Sequence, residues 1–565
     1  MAFSEPPRRR INALGLPVLL VGIGLWAYHN SFRGAFLFDD HRHILNNVNV
    51  REPSPPWACL AESARPIVDC SFTLNYALAG AQPFTYHAVN LAIHLLAGLL
   101  LFGLVRRTLE TSRLATRFGK SAPWLALATA LLWVVHPLQT QSVTYIVQRA
   151  ESLMGLCYVA TIYCLCRSAT SSSARRWEAL AVLACGAGMA SKLDMMTAPL
   201  TALLYDRVFF SGSVRQALRK RPLLYLGLFA SMGLGMYLAI VPIGKSLLLP
   251  GLRLSPPTIL GYAGTQPQII LHYLKLSLWP HPLVFDYLWP VATTINAILW
   301  PSLAVGALGL AALWALRRRP PVGFLGAWVF LTLAPSSSVL PIADLAVEHR
   351  MYLALAAVMM LLVLAGYSCF RGKIALVVLV GLAAIYGTLT IRRNADYASE
   401  WRMWNDVLTK RPNHFRALSS LGDLMRREGR LDEAVAYYTQ ALRVIPDHPE
   451  AHFNLGFVLI RQRNLAEAIE HYRRALELYP EYPEAHNNLG IALKASGKLD
   501  EAMAQYREAL RLRPDYADAH FNAANVLFEQ GKIEEAKREY ETTLSLQPAY
   551  AQYREAKQMV AVLSR

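Results

Sequence analysis

The chain has 565 residues, of which 54% are hydrophobic and 17% are charged, and its formal net charge is +17. This composition is too apolar for a soluble protein of such length, and the hydrophobic excess falls almost wholly before residue 392. Most basic residues lie in short loops between hydrophobic runs, where they set the orientation of a membrane protein. The charge therefore argues against a nucleic-acid-binding protein.

The first hydrophobic run follows three consecutive arginines and resembles a signal peptide. It lacks a small-residue cleavage site before the bulky segment that begins at Trp26. We therefore predict an uncleaved membrane anchor here.

Eleven apolar runs are long enough to span a membrane. They cover residues 12–31, 86–105, 122–138, 151–167, 178–190, 194–210, 222–243, 295–316, 322–338, 350–369 and 373–391. The runs 178–190 and 194–210 are short and could be broken or tilted helices. A further run, 264–280, contains His272 and Lys275, so we predict an interfacial or re-entrant helix there.

The basic clusters all fall on one side of this threading, which the positive-inside rule assigns to the cytoplasm. Eleven spans then place the C-terminal region outside, in a periplasm or a lumen. The same threading gathers these charged and polar segments on the outer face: Asp39-Asp40, Gln148 to Glu151, Ser191 to Asp194, Asp286, and Glu348 to Arg350. Scattered charges would not be expected to gather in this way, so we predict a single outward-facing active site.

The last part of the chain repeats every 34 residues, with prolines, small residues and tyrosines at fixed positions. The members are Pro446, Pro480, Pro514 and Pro548; Gly422, Gly456, Gly490 and Ala524; Ala434, Ala468, Ala502 and Ala536; and Tyr438, Tyr472, Tyr506 and Tyr540. This pattern matches the tetratricopeptide repeat, which is a pair of helices. Such an array can be a structural stalk, but we expect a partner-binding groove. The candidate groove residues are Asn454, Asn487, Asn488 and Asn522.

The acidic pair Asp39-Asp40 follows the first hydrophobic run. An isolated pair of aspartates could simply shape a turn or cap a helix. Here the pair leads into a loop rich in His, Arg and Asn that continues to Arg65. A carboxylate in this setting could act as a general base on a hydroxyl group, with its neighbour tuning its charge or orienting the acceptor.

Arg149 and Arg350 are the candidate anion-binding residues, because a guanidinium offers a planar and permanently charged fork to phosphate oxygens. Each lies near an acid, Glu151 or Glu348, so an ion pair that only fixes helix packing is the alternative. Lys192 is a third candidate cation, for which snorkelling to the interface is the alternative.

Five residues complete the predicted site in supporting roles: Arg65, His136, Glu151, Glu348 and His349. A histidine such as His136, beside a proline at the end of a span, is more often a polar packing residue than a ligand. No cluster of His, Cys and carboxylates has metal-ligand spacing, so we expect no metal. Cys59 and Cys70 share the first long loop and could form a disulfide in an oxidising compartment.

Several segments resemble the transmembrane and tetratricopeptide-repeat-containing O-mannosyltransferases and their bacterial relatives. They are Phe36 to Val50, Arg65 to Tyr76, Tyr86 to His94, His136 to Glu151, and Glu348 to Leu353. The resemblance implies a GT-C glycosyltransferase fold, a polyprenyl-phosphate sugar donor, and transfer with inversion at the outer face. It maps the family's acidic motif onto Asp39-Asp40, with Asp39 preferred as the base.

Two features depart from the family pattern. Leu193 stands where relatives often carry an acid, and the array has only four full repeats. The short array and the composition suggest a bacterial member with an undecaprenyl-type donor, in an inner membrane with its repeats in the periplasm. The endoplasmic reticulum membrane, with the repeats in the lumen, is the alternative.

We therefore predict an all-α protein in four segments. They are a membrane glycosyltransferase domain at 1–392 with its first outer loop at 33–85, a linker or half-repeat at 393–412, four repeats at 413–550 and a capping helix at 551–565. The expected reaction moves a hexose such as mannose onto a Ser or Thr hydroxyl of a protein. The alternatives are a lipid or glycan acceptor, a non-catalytic membrane-anchored scaffold, or a flippase, which should carry charges near the bilayer centre.

Overall fold

A computed structural model describes residues 8–52, 63–246, 258–338, 341–342, 344–370, 373–546 and 554–563. These residues form helices joined by loops, and none of them belongs to a strand. The predicted all-α class, with apolar helices followed by helical repeats, is confirmed. The chain divides into two compact units, Met1–Met403 and Trp404–Arg565.

The first unit contains thirteen helices of at least nine residues among those that the structure describes. They are α1 Arg8–Tyr28, α2 Pro66–Ala79, α3 Pro83–Leu109, α4 Ala122–Val134, α5 Arg149–Thr170, α6 Ala174–Met189, α7 Ala198–Asp206, α8 Pro222–Ser246, α9 Ile259–Leu278, α10 Ile295–Arg318, α11 Pro320–Leu333, α12 Met351–Cys369 and α13 Lys373–Asp396. Each hydrophobic run of the sequence thus coincides with a helix.

Five segments of the described chain are long and apolar enough to cross a membrane. They are Pro83–Leu109, Ile146–Thr170, Ile295–Arg318, Glu348–Cys369 and Ile374–Asp396. A pair bent by 53°, Ala115–Val134 with Pro137–Val143, would make a sixth, and Pro222–Leu238 and Pro320–Leu333 are shorter apolar helices. By length and composition the described residues thus supply fewer full spans than the eleven predicted runs.

Two of the predicted runs are interrupted, and proline chemistry explains the first interruption. Helix α4 ends at Val134 because Pro137 has no N–H to donate and disfavours a helical conformation at His136. The chain then continues in short helical turns whose polar side chains are buried: Gln139, Thr140, Gln141, Ser142 and Thr144. The run from 194 is broken too, with a short turn at Leu193–Thr197 before α7. These irregular segments carry polar groups into the interior.

Close packing between α5 and α12 depends on Gly155. A Cβ added at this position would collide with the aromatic ring of Tyr352. The missing side chain lets the two helices approach, as small residues do between membrane helices. The approach brings the N-terminal ends of α5 and α12, which carry Glu151 and Arg350, into one neighbourhood.

The second unit is an array of helix pairs. Its helices, with the one that leads into it, are α14 Glu400–Lys410, α15 Phe415–Arg427, α16 Leu431–Val444, α17 Pro449–Arg461, α18 Leu465–Leu478, α19 Pro483–Ala495, α20 Leu499–Leu512, α21 Ala517–Glu529, α22 Ile533–Leu546 and α23 Arg554–Leu563. The 34-residue pattern has a packing cause. The glycine of each first helix lies under a tyrosine ring of the second, and a Cβ would reach 2.8 Å at Gly422, 3.0 Å at Gly456 and 2.5 Å at Gly490.

Candidate active site

The acidic pair lies in a turn after α1, and its two carboxylates have different surroundings. Asp40 is fully buried, and its carboxylate accepts hydrogen bonds from the backbone N–H groups of Leu37 at 2.9 Å and Val147 at 2.7 Å. The backbone N–H of Asp39 donates to the hydroxyl of Tyr145 at 3.1 Å, and the side chain of Asp39 is partly exposed. Asp40 therefore fastens the turn to the segment before α5, while Asp39 faces outward.

The pKa of the Asp40 carboxyl is shifted upward by its surroundings. Burial, with a smaller contribution from the charge of Asp39, raises the pKa of Asp40 to about 8. The two backbone donors and Arg149 oppose this shift without cancelling it. The raised pKa favours the protonated form of Asp40, and Asp39 is the member of the pair whose side chain is partly exposed.

Tyr145 was not singled out for chemistry from the sequence, although it belongs to a segment that carries the family resemblance. Its buried hydroxyl lies against both the backbone and the carboxylate of Asp39. The ring packs edge-on against Phe285, with centroids 5.0 Å apart. Tyr145 thus orients Asp39 from a fixed position.

Arg149 is buried, and neighbouring helices take up its hydrogen bonds. Nε donates to Oδ1 of Asn90 at 2.6 Å, Nη1 to the carbonyl of Ser71 at 3.1 Å, and Nη2 to the carbonyl of Tyr86 at 3.2 Å. The guanidinium also stacks on Phe72, 4.4 Å from the ring centroid. These contacts hold α2 and α3 against the start of α5. Arg149 therefore acts in helix packing, which is the alternative to a phosphate-binding role.

Arg65 is exposed at the N-terminal end of α2, beside a cavity of about 350 Å³. The cavity is lined by His43, Asn47, Asn49, Val50, Ser63, Ala64, Arg65, Val68, Asp69, Phe72 and Val147. Burial lowers the pKa of His43, with Asp39 opposing and Arg65 reinforcing the shift. Asp69 accepts a hydrogen bond from Ser63 at 2.5 Å, and its burial raises its pKa. This polar pocket therefore adjoins the acidic pair, and no sequence pattern singles out Asp69.

Lys192 forms ion pairs with two acids, Glu151 of α5 and Asp194, the latter at 3.0 Å. Its side chain is 17% exposed, and the charge of Arg65 also acts on it. Arg350 acts in turn on Glu151. Lys192, Glu151, Arg350 and Arg65 thus form one electrostatic group.

The segment before α12 is held by buried polar contacts. The carboxylate of Glu348 accepts hydrogen bonds from the backbone N–H of Val284 at 2.6 Å and from the hydroxyl of Tyr287 at 3.0 Å. Arg350 donates to the carbonyls of Asp344 at 2.6 Å and Leu345 at 2.8 Å. Glu348 and Arg350 therefore each fix a loop, and Oε2 of Glu348 also lies 4.0 Å from Nη2 of Arg393.

The imidazole of His349 has a defined hydrogen-bond partner. Both its backbone N–H and Nδ1 lie against Oε1 of Gln141, at 2.8 and 3.1 Å, while Nε2 of Gln141 donates to the carbonyl of Phe285. Because Oε1 can only accept, Nδ1 of His349 carries a proton and Nε2 is the acceptor in the neutral ring. Gln141 is a second residue that the sequence did not single out.

His136 lies away from this group, in the bend after α4. Its Nδ1 accepts from the backbone N–H of Leu138 at 3.2 Å, and its Nε2 donates to the carbonyl of Ser277 in α9 at 3.1 Å. The ring is fully buried and packs edge-on against Tyr386. The geometry is that of a packing histidine that joins the bend to α9.

The candidate groove residues occupy the first helices of the repeats. Asn454, Asn488 and Asn522 are partly exposed, whereas Asn487 is 3% exposed. Nδ2 of Asn522 donates to Oδ1 of Asn487 at 2.9 Å, and Nδ2 of Asn487 donates to Oδ1 of Asn488 at 3.2 Å. Asn487 therefore links successive repeats, and the other three have surface to offer a partner.

Two further sequence expectations concern cysteines and metals. Cys70 is disulfide-bonded, and Cys59 lies outside the described residues. Within the described ranges, no group of three or more His, Cys, Asp or Glu side chains is arranged to hold a metal ion.

Family models match both units. Residues 65–238 match the model described as dolichyl-phosphate-mannose-protein mannosyltransferase. Tetratricopeptide-repeat models match residues 402–443, 419–483, 471–504, 492–531 and 517–550. Fold and site together define a multi-pass membrane protein with a mannosyltransferase-like domain and a tetratricopeptide-repeat array.

Individual relatives are named as protein O-mannosyl-transferases. The chain is 36% identical to mouse protein O-mannosyl-transferase TMTC1 over 171 residues, which cover 28% of this chain and 17% of that protein. It is 24% identical to mouse protein O-mannosyl-transferase TMTC4 over 489 residues, 74% of this chain and 65% of that protein. It is 24% identical to Drosophila melanogaster protein O-mannosyl-transferase Tmtc3 over 531 residues, 78% and 56% respectively. The chain thus covers less than two thirds of each of these relatives. The predicted resemblance to the transmembrane and tetratricopeptide-repeat-containing O-mannosyltransferases is confirmed.

Proposed function

We propose that the chain is a membrane glycosyltransferase that transfers a hexose, such as mannose, from a polyprenyl phosphate to a Ser or Thr hydroxyl of a protein outside the cytoplasm. The similarity to protein O-mannosyl-transferases supports the reaction class. The observation that carries the proposal is Asp39, a partly exposed carboxylate held by Tyr145 beside the buried Asp40.

In the proposed step Asp39 accepts the proton of the acceptor hydroxyl. The hydroxyl oxygen forms a bond to the anomeric carbon of the sugar while the bond from that carbon to the phosphate oxygen breaks. Attack opposite the leaving group inverts the anomeric centre. The products are the glycosylated side chain, the polyprenyl phosphate and a proton held on Asp39. Asp39 accelerates the step because it accepts the proton while the new bond forms.

The departing phosphate requires positive charge, because its negative charge increases as the bond breaks. Arg65 supports this role best, since it is exposed and acts electrostatically on both Lys192 and His43. Lys192 and Arg350 are proposed as further donor-binding cations. Arg149, whose hydrogen bonds go to α2 and α3, is proposed as a positioning residue.

With these cations available, we propose transfer without a metal ion or other cofactor. His349 offers a fixed acceptor nitrogen at the same group and can orient a sugar hydroxyl. We place the chemistry on the outer face of a bacterial inner membrane, with the endoplasmic reticulum lumen as the equivalent location in a eukaryote. The acceptor protein would be held by the repeats through Asn454, Asn488 and Asn522.

The test of the reaction uses purified full-length protein, a polyprenyl-phosphate mannose donor and a Ser/Thr-containing acceptor. Asp39→Asn is expected to lower the transfer rate about a hundredfold or more, since it removes the base. Glu52→Gln is the matched control, because Glu52 is an exposed acid of the same loop. Transfer at a near-normal rate by Asp39→Asn would refute the assignment of the base.

A separate experiment addresses the acceptor. Deletion of residues 413–565 is expected to abolish transfer to protein while slow hydrolysis of the donor continues. Glycoproteomic comparison of a strain lacking the gene with its parent should reveal lost Ser or Thr glycosylation. Unchanged protein glycosylation together with an altered surface glycan or lipid would show that the acceptor is not a protein.

A further inference from the structure

A second cavity of about 790 Å³ lies at the far end of α3 from the acidic pair. Helix α3 begins at Pro83, after the outer loop, and ends at Leu109, so its 27 residues are about 40 Å long. Leu101, Leu104 and Leu109 line the cavity from this helix. The cavity is therefore separate from the candidate active site and lies toward the basic loops.

The cavity has an apolar body and a basic rim. Its volume is within the range of about 300–1,000 Å³ that is typical of ligand pockets. Helices α3, α7, α11 and α12 supply most of the apolar wall, including Tyr205, Phe324, Trp328, Ala357 and Met360. At the rim are Arg113, Arg117 and Arg319, all three exposed.

Two other arginines of this face have carboxylate partners. Arg221 pairs with Asp206 at 2.6 Å, and Arg106 pairs with Glu110 at 3.0 Å. In the part of the chain that the structure describes, none of the three rim arginines has a carboxylate within 4.0 Å. Their cationic charge is thus left for another anion.

The rim arginines are also held toward the cavity by neutral contacts. Arg113 donates to the carbonyl of Val208 at 2.5 Å, and Arg117 donates to Oγ of Ser368 at 3.4 Å. Arg117 also packs over Phe118, 5.0 Å from the ring centroid. Ser368, Arg113 and Arg117 all line the cavity, so these contacts join α12 and the loop after α3 around one opening.

We propose that this cavity binds a diacyl phospholipid with an anionic headgroup. The apolar wall accepts the acyl chains, and the rim arginines form charge-assisted hydrogen bonds to the headgroup phosphate. A free phosphate compound shares the headgroup chemistry but leaves the apolar wall uncovered. A zwitterionic lipid covers the wall but brings a cation of its own to the arginines.

The experiment measures lipid binding to the purified full-length protein by native mass spectrometry. The probes are phosphatidylglycerol and phosphatidylcholine with the same acyl chains, and glycerol 3-phosphate as a probe of the headgroup alone. Arg113→Gln with Arg117→Gln removes two rim charges. Arg175→Gln with Arg176→Gln is the matched control, because these exposed arginines lie in the first turn of α6 on the same predicted side but do not line the cavity. Ala357→Phe fills the wall and leaves the charges intact.

We expect phosphatidylglycerol to bind at least tenfold more tightly than phosphatidylcholine. The rim variant should weaken phosphatidylglycerol binding about fivefold for each arginine removed, and the control pair less than twofold. Ala357→Phe should weaken binding of both lipids.

Equal affinity for the two lipids, or an equal loss in the control pair, would overturn the proposal. Glycerol 3-phosphate binding as tightly as phosphatidylglycerol would also overturn it, because the site would then be a phosphate site. Since the rim arginines are exposed, an unchanged unfolding temperature will separate lost binding from misfolding.

Discussion

The carboxylate of Asp40 accepts a hydrogen bond of 2.7 Å from the backbone N–H of Val147, across 107 residues of sequence. The same carboxylate accepts from Leu37, so the acidic turn and the segment before α5 are held as one piece. Two adjacent aspartates thereby acquire different roles, one structural and buried, the other partly exposed. The first two predictions test this division.

Asp40→Asn should destabilise the protein. The amide keeps one acceptor oxygen but directs an NH₂ group toward one of two backbone N–H donors, so a buried donor loses its partner. We expect a loss of about 1–3 kcal/mol in the free energy of unfolding. Thermal unfolding in detergent measures it, and Asp39→Asn should stay close to the parent protein. Equal stability of the two variants would contradict the structural role of Asp40.

The raised pKa of Asp40 also predicts a pH dependence. Its unfolded pKa is about 3.9, and burial raises the folded value to about 8. Between these values the folded state binds more protons, so the contribution of Asp40 to stability is complete below about pH 4 and is lost as the pH rises through 8. Unfolding measured from pH 5 to 9 should show this decline in the parent protein. Asp40→Asn should show a flatter profile, and an identical slope would contradict the prediction.

Substitutions of Arg65 and Lys192 should have different effects. The first should weaken donor binding, and the second should lower stability. Arg65 is exposed, so Arg65→Gln should leave unfolding unchanged and raise KM for the lipid-linked donor about tenfold. Lys192→Gln leaves Glu151 and Asp194 without their cation and should cost about 3–5 kcal/mol of stability. Steady-state kinetics and thermal unfolding of both variants make the comparison. A stability loss in Arg65→Gln with unchanged KM would reverse the assignment.

Gly490→Ala should loosen the third repeat. The added methyl group would lie 2.5 Å from the ring of Tyr506, so the helix pair must separate, at a cost of about 1–3 kcal/mol. Hydrogen exchange of residues 483–512 in the full chain measures the change. Gly186→Ala is the control, since a Cβ there meets no atom within 4 Å. Unchanged protection in Gly490→Ala would show that the repeat can absorb the methyl group.

The topology can be tested with engineered cysteines and a membrane-impermeant reagent. Sites at Leu45 and Arg430 should react from outside the cell or vesicle, and sites at Ala115 and Arg319 from the cytoplasmic side. Labelling of Arg430 from the cytoplasm would contradict the outward location of the repeats. It would also remove the argument that places the chemistry on the outer face.

The helices and the repeat packing could be predicted because they depend on local periodicity. Apolar runs marked the helices, and glycine and tyrosine at a 34-residue period marked contacts within each repeat. The sequence also placed Lys192, Glu151 and Arg350 on one face, where the structure groups them.

The partners within the site could not be predicted in the same way. Gln141 and His349 are 208 residues apart, and Tyr145 and Asp39 are 106 apart. No periodic pattern connects such residues, because the bend after Val134 decides which side chains point inward. For the same reason the sequence predicts that Arg149 faces a phosphate, whereas in the structure its hydrogen bonds go to α2 and α3.

The acidic turn cannot be completed while the chain is still short. Asp40 leaves the ribosome 107 residues before Val147, the donor that fastens the turn. At about 5–20 residues per second, synthesis of that stretch takes roughly 5–20 s. The hydrogen bond that fastens the acidic turn can therefore form only after Val147, just before α5, has been synthesised.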